Sequence, residues 1–125
     1  MINSIVIPTI DINEAEFFYG SFLNLFGASK HLKRENLVSW KNRDKSISII
    51  IQKVSGCVDL EANKTIIGFT ASSPFEVELI YKAALRFGAV CAGSPSDNGY
   101  GNYSAYIYDL DRNKLGIFYI KNNPL

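Results

Sequence analysis

The chain has 125 residues, of which 47% are hydrophobic and 20% are charged. This balance is typical of a folded globular chain, and the length suits one domain with its own core. Thirteen basic residues against twelve acidic ones leave a formal charge of +1, and no basic run is longer than Lys33-Arg34. A net charge this close to zero argues against a surface that binds phosphate groups. We therefore expect no nucleic-acid partner.

The N-terminus lacks a basic region followed by a long apolar one, and the longest apolar stretch is shorter than the roughly 20 residues of a membrane helix. We therefore expect a cytoplasmic protein with no membrane partner. Cys57 and Cys91 are far apart, with no CxxC motif. A disulfide is one possibility, and two buried or partly buried free thiols in a reducing compartment are the favoured one.

The first half of the chain predicts one strand, one helix and three further strands. β-Branched residues predict the strand at residues 4–10. Asp11 or Asn13 offers an N-cap for the helix that follows, and Gly27 ends that helix. The next predicted strands are residues 29–33, 37–41 and 46–52, with a hairpin turn at 42–45.

The second half predicts the same order of elements. A strand at residues 65–70 precedes a helix that Ser72 or Ser73 caps, with Pro74 at its first position and Gly88 at its end. The predicted strands that follow are residues 89–93, 103–108 and 114–120, with a turn at 109–113. The glycine-rich segment 93–101 lacks the lysine and helix of a phosphate loop, so it is either a flexible connection or a lid over a sheet cavity.

The two halves also repeat in sequence, since Phe26-Gly27-Ala28 matches Phe87-Gly88-Ala89. We predict a single domain over residues 1–125, with module one at 1–53, a connector at 54–63 and module two at 64–121. A module of this size cannot cover its own sheet, so the two should pack together. The predicted fold class is α+β, with two βαβββ modules forming curved mixed sheets around a cavity and the helices outside.

The doubled module resembles the vicinal-oxygen-chelate superfamily, which includes glyoxalases, bleomycin resistance proteins and extradiol dioxygenases. The start of the first helix, from Asp11 through Glu14-Ala15-Glu16-Phe17-Phe18-Tyr19, is similar to the signature D-x-x-x-A-x-x-F-Y. The set Gly93, Pro95, Tyr100 and Gly101 resembles the family's G-x-P…Y-G segment. The run from Tyr103 to Asn113 resembles Y-A-A-F-x-x-D-P-D-G-N, with Leu110 and Arg112 in place of the proline and glycine.

The resemblance implies where the histidine and glutamate ligands of the family's metal would lie: near Ser4, near Ser48, at Ile66 and at Gly116. None of these is a strong metal ligand. We therefore expect neither a metal nor another cofactor, which places the family's metal-dependent activities in doubt.

Two other polar features have simple structural interpretations. His31 is the only histidine and lies on a polar predicted strand, so we expect it to be solvated. Asp109-x-Asp111-x-Asn113 begins like a calcium loop, but it lacks the glycine and the final glutamate that such a loop needs. We predict a hairpin turn there.

Aromatic residues are concentrated late in the chain. Strand periodicity places Gly116 and Phe118 on one face of the last strand, while either Tyr106 or Ala105 could point inward from the strand before it. An aromatic cavity without a metal suits a flat apolar molecule. The candidate ligand-binding residues are Trp40, Ser48, Gln52, Tyr100, Tyr103, Tyr106 and Phe118.

Three functions remain open at this point. The favoured one is a homodimeric, non-enzymatic protein that binds a small aromatic or apolar molecule, like the drug-sequestering members of the superfamily. The alternative is a vicinal-oxygen-chelate enzyme of lyase, isomerase or dioxygenase type, with a non-metal site or one rebuilt from residues such as Glu35, Gln52 and His31. The third is a structural or interaction module.

Overall fold

The chain divides into two compact units, Met1–Leu60 and Glu61–Leu125. Within them, the computed structural model describes residues 1–56 and 65–121. The first unit contains β1 (Ser4–Thr9), α1 (Ile12–Asn24), β2 (Ser29–Arg34), β3 (Leu37–Lys41) and β4 (Ser48–Lys53). The second contains β5 (Ile66–Thr70), α2 (Pro74–Arg86), β6 (Val90–Gly99), β7 (Asn102–Tyr108) and β8 (Lys114–Tyr119). The predicted βαβββ order is confirmed in both units. Most of the predicted connector, together with Cys57, lies outside the described residues.

The sheet of the first unit has the strand order β1-β4-β3-β2, and only the β1–β4 pair is parallel. Asp11 begins α1, because its Oδ1 accepts hydrogen bonds from the backbone N–H groups of Asn13 and Glu14, both at 3.1 Å. The helix packs on this sheet through an aromatic core. The buried side chains are Ala15, Phe18, Tyr19, Phe22 and Leu23 of α1 with Ile7, Val38, Trp40, Ile49 and Ile51 of the strands.

The sheet of the second unit has the equivalent order β5-β8-β7-β6, with β5–β8 as its parallel pair. Ser73 begins α2 by accepting a hydrogen bond from the Glu76 N–H at 3.0 Å, and the Glu76 carboxylate accepts one from the Ser72 N–H at 3.1 Å. This reciprocal cap satisfies two backbone donors. The core beneath α2 is aliphatic: Val77, Ile80, Ala83 and Ala84 with Ala105, Ile107, Leu115 and Ile117.

The segment predicted as a loop at residues 93–101 is strand and tight turn. β6 continues to Gly99, which pairs with Asn102, although the pairing with β7 is interrupted by register shifts. Only Tyr100 and Gly101 form the turn, with φ of 57° and 81°, the positive values of a two-residue hairpin loop. The loop prediction was wrong because glycines commonly interrupt regular structure. Here β-bulges accommodate them within an edge strand.

The predicted turn between the last two strands is confirmed. The Asp109 side chain is 3% exposed, and its carboxylate accepts from the Asp111 N–H at 2.9 Å, the Asn113 N–H at 2.8 Å and Asn113 Nδ2 at 2.9 Å. Arg112 has a positive φ of 69°, at the position where the resembled motif has glycine. The buried Asp109 carboxylate therefore stabilises the turn through hydrogen bonds to the residues of the turn itself.

Two expectations about the chain as a whole can be compared with the structure. Within residues 1–56 and 65–121, no helix is long and apolar enough to cross a membrane. Cys91 is a free thiol, as favoured from the sequence, but it is exposed rather than buried.

Candidate functional site

Each sheet has a face covered by its own unit's helix and an opposite face, which we call the far face. Leu115 and Ile117 are fully buried on the α2 side of β8. Successive residues of a strand point to opposite faces, so Gly116 and Phe118 belong to the far face. The prediction that these two residues share a face is confirmed. On β7 the ambiguity is resolved, because Ala105 pairs with Ile117 and Tyr106 pairs with Gly116. Tyr106 is therefore the far-face residue.

Two aromatic rings lie together on the far face of the second sheet. The rings of Tyr106 and Phe118 meet edge to face, with centroids 5.6 Å apart and planes at 79°. They lie on backbone without side chains, because Gly116 pairs with Gly68 on one side and Tyr106 pairs with Gly93 on the other. A Cβ on Gly116 would come within 2.5 Å of Phe118 Cζ, and one on Gly93 within 3.1 Å of Tyr106 Cδ2. We call the Tyr106–Phe118 pair the aromatic platform.

A lysine borders this platform. Lys114 Nζ lies 5.1 Å from the centroid of the Tyr106 ring. Among the described residues, no carboxylate forms an ion pair with Lys114. The other far-face positions of β5, β7 and β8 are neutral: Ile66, Gly68, Thr70, Asn102, Ser104, Tyr106, Tyr108, Gly116 and Phe118. Lys114 is therefore the only charged residue among these far-face positions of β5, β7 and β8, and its positive charge favours an anion over a metal ion.

Two of the predicted site residues from this part of the chain lie elsewhere. The Tyr103 hydroxyl points to the helix side and donates a hydrogen bond to Glu78 Oε1 on α2 at 3.2 Å. Desolvation raises the pKa of Tyr103, and the negative charges of Glu78 and Asp97 raise it further, so the phenol stays protonated as a donor. Tyr100 is at the tip of the β6–β7 hairpin and is 95% exposed.

The three candidates from the first unit divide between the faces of its sheet. Trp40 is 2% exposed beneath α1, where its Cζ2 lies 3.7 Å from the Cβ position of Gly20. Ser48 and Gln52 lie on the far face of this sheet, because they alternate with the buried Ile49 and Ile51. Ser48 Oγ accepts a hydrogen bond from Lys41 Nζ at 3.1 Å.

Sequence reasoning missed Lys114, Gly68 and Gly93 as parts of the platform. Lys114 was detectable, because it lies two residues before Gly116 and so shares its face. Gly68 and Gly93 were not, since their placement beside Gly116 and Tyr106 depends on strand pairing between distant segments.

The donors at the positions of the family's metal ligands do not fit a divalent metal. Ser4 and Ser48 pair with each other across β1 and β4, and Ile66 pairs with Lys114. These positions and Gly116 supply two neutral hydroxyls and no nitrogen, thiolate or carboxylate donor. A glutamate at Gly116 would also require Phe118 to move, because the ring occupies the space of its first side-chain carbon.

The residues considered for a rebuilt metal site lie at separate places. His31 is exposed at the register shift in β2, Glu35 is exposed between β2 and β3, and Gln52 is on β4. In the part of the chain that the structure describes, no three His, Cys, Asp or Glu side chains cluster closely enough to hold a metal ion.

Comparison with known proteins gives a match in structure and none in sequence. The sequence matches no family model and no curated protein. A glyoxalase/bleomycin resistance protein from Albidiferax ferrireducens is 19% identical, with 96% of this chain and 99% of that chain covered and a TM-score of 0.78. A glyoxalase/bleomycin resistance protein/dioxygenase family enzyme from Burkholderia phytofirmans is 18% identical, with 95% and 98% covered and a TM-score of 0.76.

A third similar structure is the genomically encoded fosfomycin resistance protein FosX from Listeria monocytogenes. It is 16% identical, with 97% of this chain and 93% of that chain covered and a TM-score of 0.77. At such identities a likeness establishes the fold and leaves the chemistry to the residues of the site. The resemblance to the vicinal-oxygen-chelate superfamily is thus confirmed at the level of the fold.

Proposed function

We propose that this chain, which has the fold of the glyoxalase and bleomycin resistance proteins, binds a small aromatic molecule without using a metal ion. The observation that supports this most strongly is the aromatic platform. Two half-buried rings lie on the far face of the second sheet rather than in the core beneath α2. Aromatic side chains that remain accessible on a sheet face offer both apolar area and a preferred geometry for a flat partner.

The metal-free part of the proposal is supported by the donor set. The positions of the family's ligands supply hydroxyls and apolar groups, and Phe118 fills the space beside Gly116. Lysines lie next to two of these positions, since Lys41 bonds Ser48 and Lys114 pairs with Ile66. Ammonium groups are not metal ligands when protonated, and they repel a divalent cation.

The binding proposal is tested by a thermal-shift screen of the whole chain against flat aromatic compounds, followed by titration of the hits. A binder at saturating excess raises stability by a few kcal/mol. Phe118→Ala should abolish the shift, while Phe75→Ala should keep it, because Phe75 is an exposed aromatic on α2 away from the platform. Equal loss in both variants, or no hit from a library rich in fused rings, would contradict the proposal.

The metal-free part has its own measurement. Elemental analysis of protein purified without metal-affinity resin should give far less than one equivalent of zinc, nickel, iron or manganese per chain. A wild-type protein that holds one equivalent of metal per chain, and loses it when Glu35, Gln52 or His31 is mutated, would contradict the proposal. That result would favour the alternative, an enzyme of lyase, isomerase or dioxygenase type with a rebuilt metal site.

We also propose a homodimer. Large apolar side chains remain exposed on the two helices, such as Phe17 at 65% on α1 and Leu79 at 50% on α2. Such residues commonly become buried when subunits associate. Light scattering at micromolar concentration should give twice the mass of the chain, and a monomer would contradict this part.

A further inference from the structure

From the position of Lys114 we infer that the ligand is an aromatic carboxylate, whose ring contacts Phe118 and Tyr106 and whose anionic group is bound by the Lys114 ammonium. This inference rests on the proposed function and narrows it to one ligand class.

The first support is the charge at this face. Lys114 is half-buried, and no described carboxylate pairs with it. The remaining far-face positions of β5, β7 and β8 carry no acidic residue. Lys114 lies beside apolar rings, and none of the described carboxylates neutralises it, so its ammonium attracts an anion more strongly than the same group in open water, because the local dielectric constant is lower.

The second support is spacing. Phe118 lies on β8 four residues beyond Lys114, but its ring folds back over Gly116, as the short distance from a Gly116 Cβ to Phe118 Cζ indicates. The Phe118 ring therefore lies beside Gly116, where Tyr106 pairs, and the Lys114 ammonium lies 5.1 Å from the Tyr106 ring centroid. A ligand ring in contact with both aromatic side chains would thus have an edge close to the ammonium, which suits a carboxylate attached directly to that ring.

The third support is the contrast with the lysines of β2 and β3 in the first unit. Lys30 and Lys33 both form ion pairs with Glu16, at 2.5 Å and 3.1 Å. Lys41 donates a hydrogen bond to Ser48. Lys114 is instead stabilised within its unit by its position over the Tyr106 ring, a contact that leaves its N–H donors available.

The test uses three probes with the same ring system and different charge: naphthoate, naphthamide and naphthylmethylammonium. Titration of the whole chain at low ionic strength should give the order naphthoate, then naphthamide, then the ammonium. A charge-assisted hydrogen bond predicts that naphthoate binds about tenfold more tightly than naphthamide, or better. The preference should weaken as salt is added.

Variants then assign the preference to one side chain. Lys114→Met should remove the preference for naphthoate while naphthamide still binds, and Lys114→Arg should retain it. Lys82→Met is the matched control, since it removes the same charge from an exposed position on α2. Equal loss in Lys82→Met and Lys114→Met would overturn the inference, because the effect would then come from net charge.

The outcomes separate the two proposals. If the three probes bind equally, the ligand class inferred here is wrong and the aromatic-binding function stands. If no probe binds and the aromatic screen is also empty, the proposed function fails together with this inference.

Discussion

The two units share one order of elements and place their aromatic residues differently. In the first unit, Phe18, Tyr19, Phe22 and Trp40 are all buried between α1 and the sheet. In the second, the fully buried residues beneath α2 are aliphatic, aromatic rings on that side such as Tyr103 are only half-buried, and Tyr106 and Phe118 lie on the opposite face. The same fold therefore buries aromatic side chains as core in one copy and leaves them half-buried, on both faces of the sheet, in the other.

This difference shows that an aromatic residue becomes a candidate for binding through the face it occupies. Trp40 and Phe118 are both large aromatics on strands of equivalent units, yet one is 2% exposed against a helix and the other is half-buried over glycines. Four sets of measurements test this difference between the units.

The largest expected effect is the loss of a core ring. Phe22 is fully buried, so Phe22→Ala should lower the free energy of unfolding by about 3–5 kcal/mol. Phe118→Ala removes a half-buried ring and should cost only about 1–2 kcal/mol. Urea unfolding followed by far-UV circular dichroism measures both. Equal losses would mean that Phe118 is core, which would remove the contrast between the units.

The second pair compares the equivalent hairpin turns. Asp109→Ala leaves buried N–H groups of Asp111 and Asn113 without their acceptor, which should cost about 2–3 kcal/mol. In the corresponding turn of the first unit, Asp44 accepts from the N–H and Oγ of Ser46 at an exposed position. Asp44→Ala should therefore change stability far less. A larger loss at Asp44 would show that the first turn, not the second, depends on its aspartate.

The third pair compares two glycines next to aromatic rings. A Cβ on Gly20 in α1 would make an ordinary 3.7 Å contact with Trp40, so Gly20→Ala should raise stability by about 0.5–1 kcal/mol. A Cβ on Gly116 would displace the Phe118 ring, so Gly116→Ala should lower stability by about 1 kcal/mol and weaken binding of aromatic probes. Opposite signs in thermal unfolding are the expected result, and stabilisation by both would contradict the tight approach at the platform.

The smallest expected effect concerns how each helix is tied to its sheet. In the first unit the hydrogen bond from Lys30, helped by Lys33, lowers the pKa of Glu16 below its ordinary value of about 4.5, against a smaller opposing effect of burial. The ion pairs of ionised Glu16 therefore contribute to stability above pH 4.5, and this contribution is lost as pH falls through the lowered pKa of Glu16. The second unit uses the hydrogen bond from Tyr103 to Glu78 instead.

Glu16→Gln should therefore cost up to about 1 kcal/mol at neutral pH, because the two lysines are largely exposed and screened by water. The loss should shrink as pH falls below about 4.5 and through the lowered pKa of Glu16, because the wild-type carboxylate then also becomes neutral. Glu35→Gln, at an exposed position, is the matched control. A loss that does not depend on pH would mean that packing, and not the ion pairs, explains the effect.

The elements of the fold were predictable because their signals are local. Asp11 and Ser73 cap the two helices through atoms two or three residues away, and alternating residues define most strands. The exception is β6, where glycines and polar residues within the strand hid its length. The length of β6 is determined by its pairing with β7. Such pairing joins residues that are distant in the sequence, so a local sequence pattern does not reveal it.

The candidate site was only half predictable for the same reason. A period of two grouped Gly116 with Phe118, but it could not say whether Tyr106 or Ala105 points to their side of the sheet, nor that Trp40 is core. Alternation fixes which residues share a face and leaves open which face a helix will cover. That choice depends on the packing of α1 on Trp40 and of α2 on Leu115 and Ile117, because burial of apolar area between distant segments decides the orientation of each sheet. The sequence alone thus determined the order of elements, whereas the tertiary structure decided that Tyr106, Phe118 and Lys114 share one accessible face.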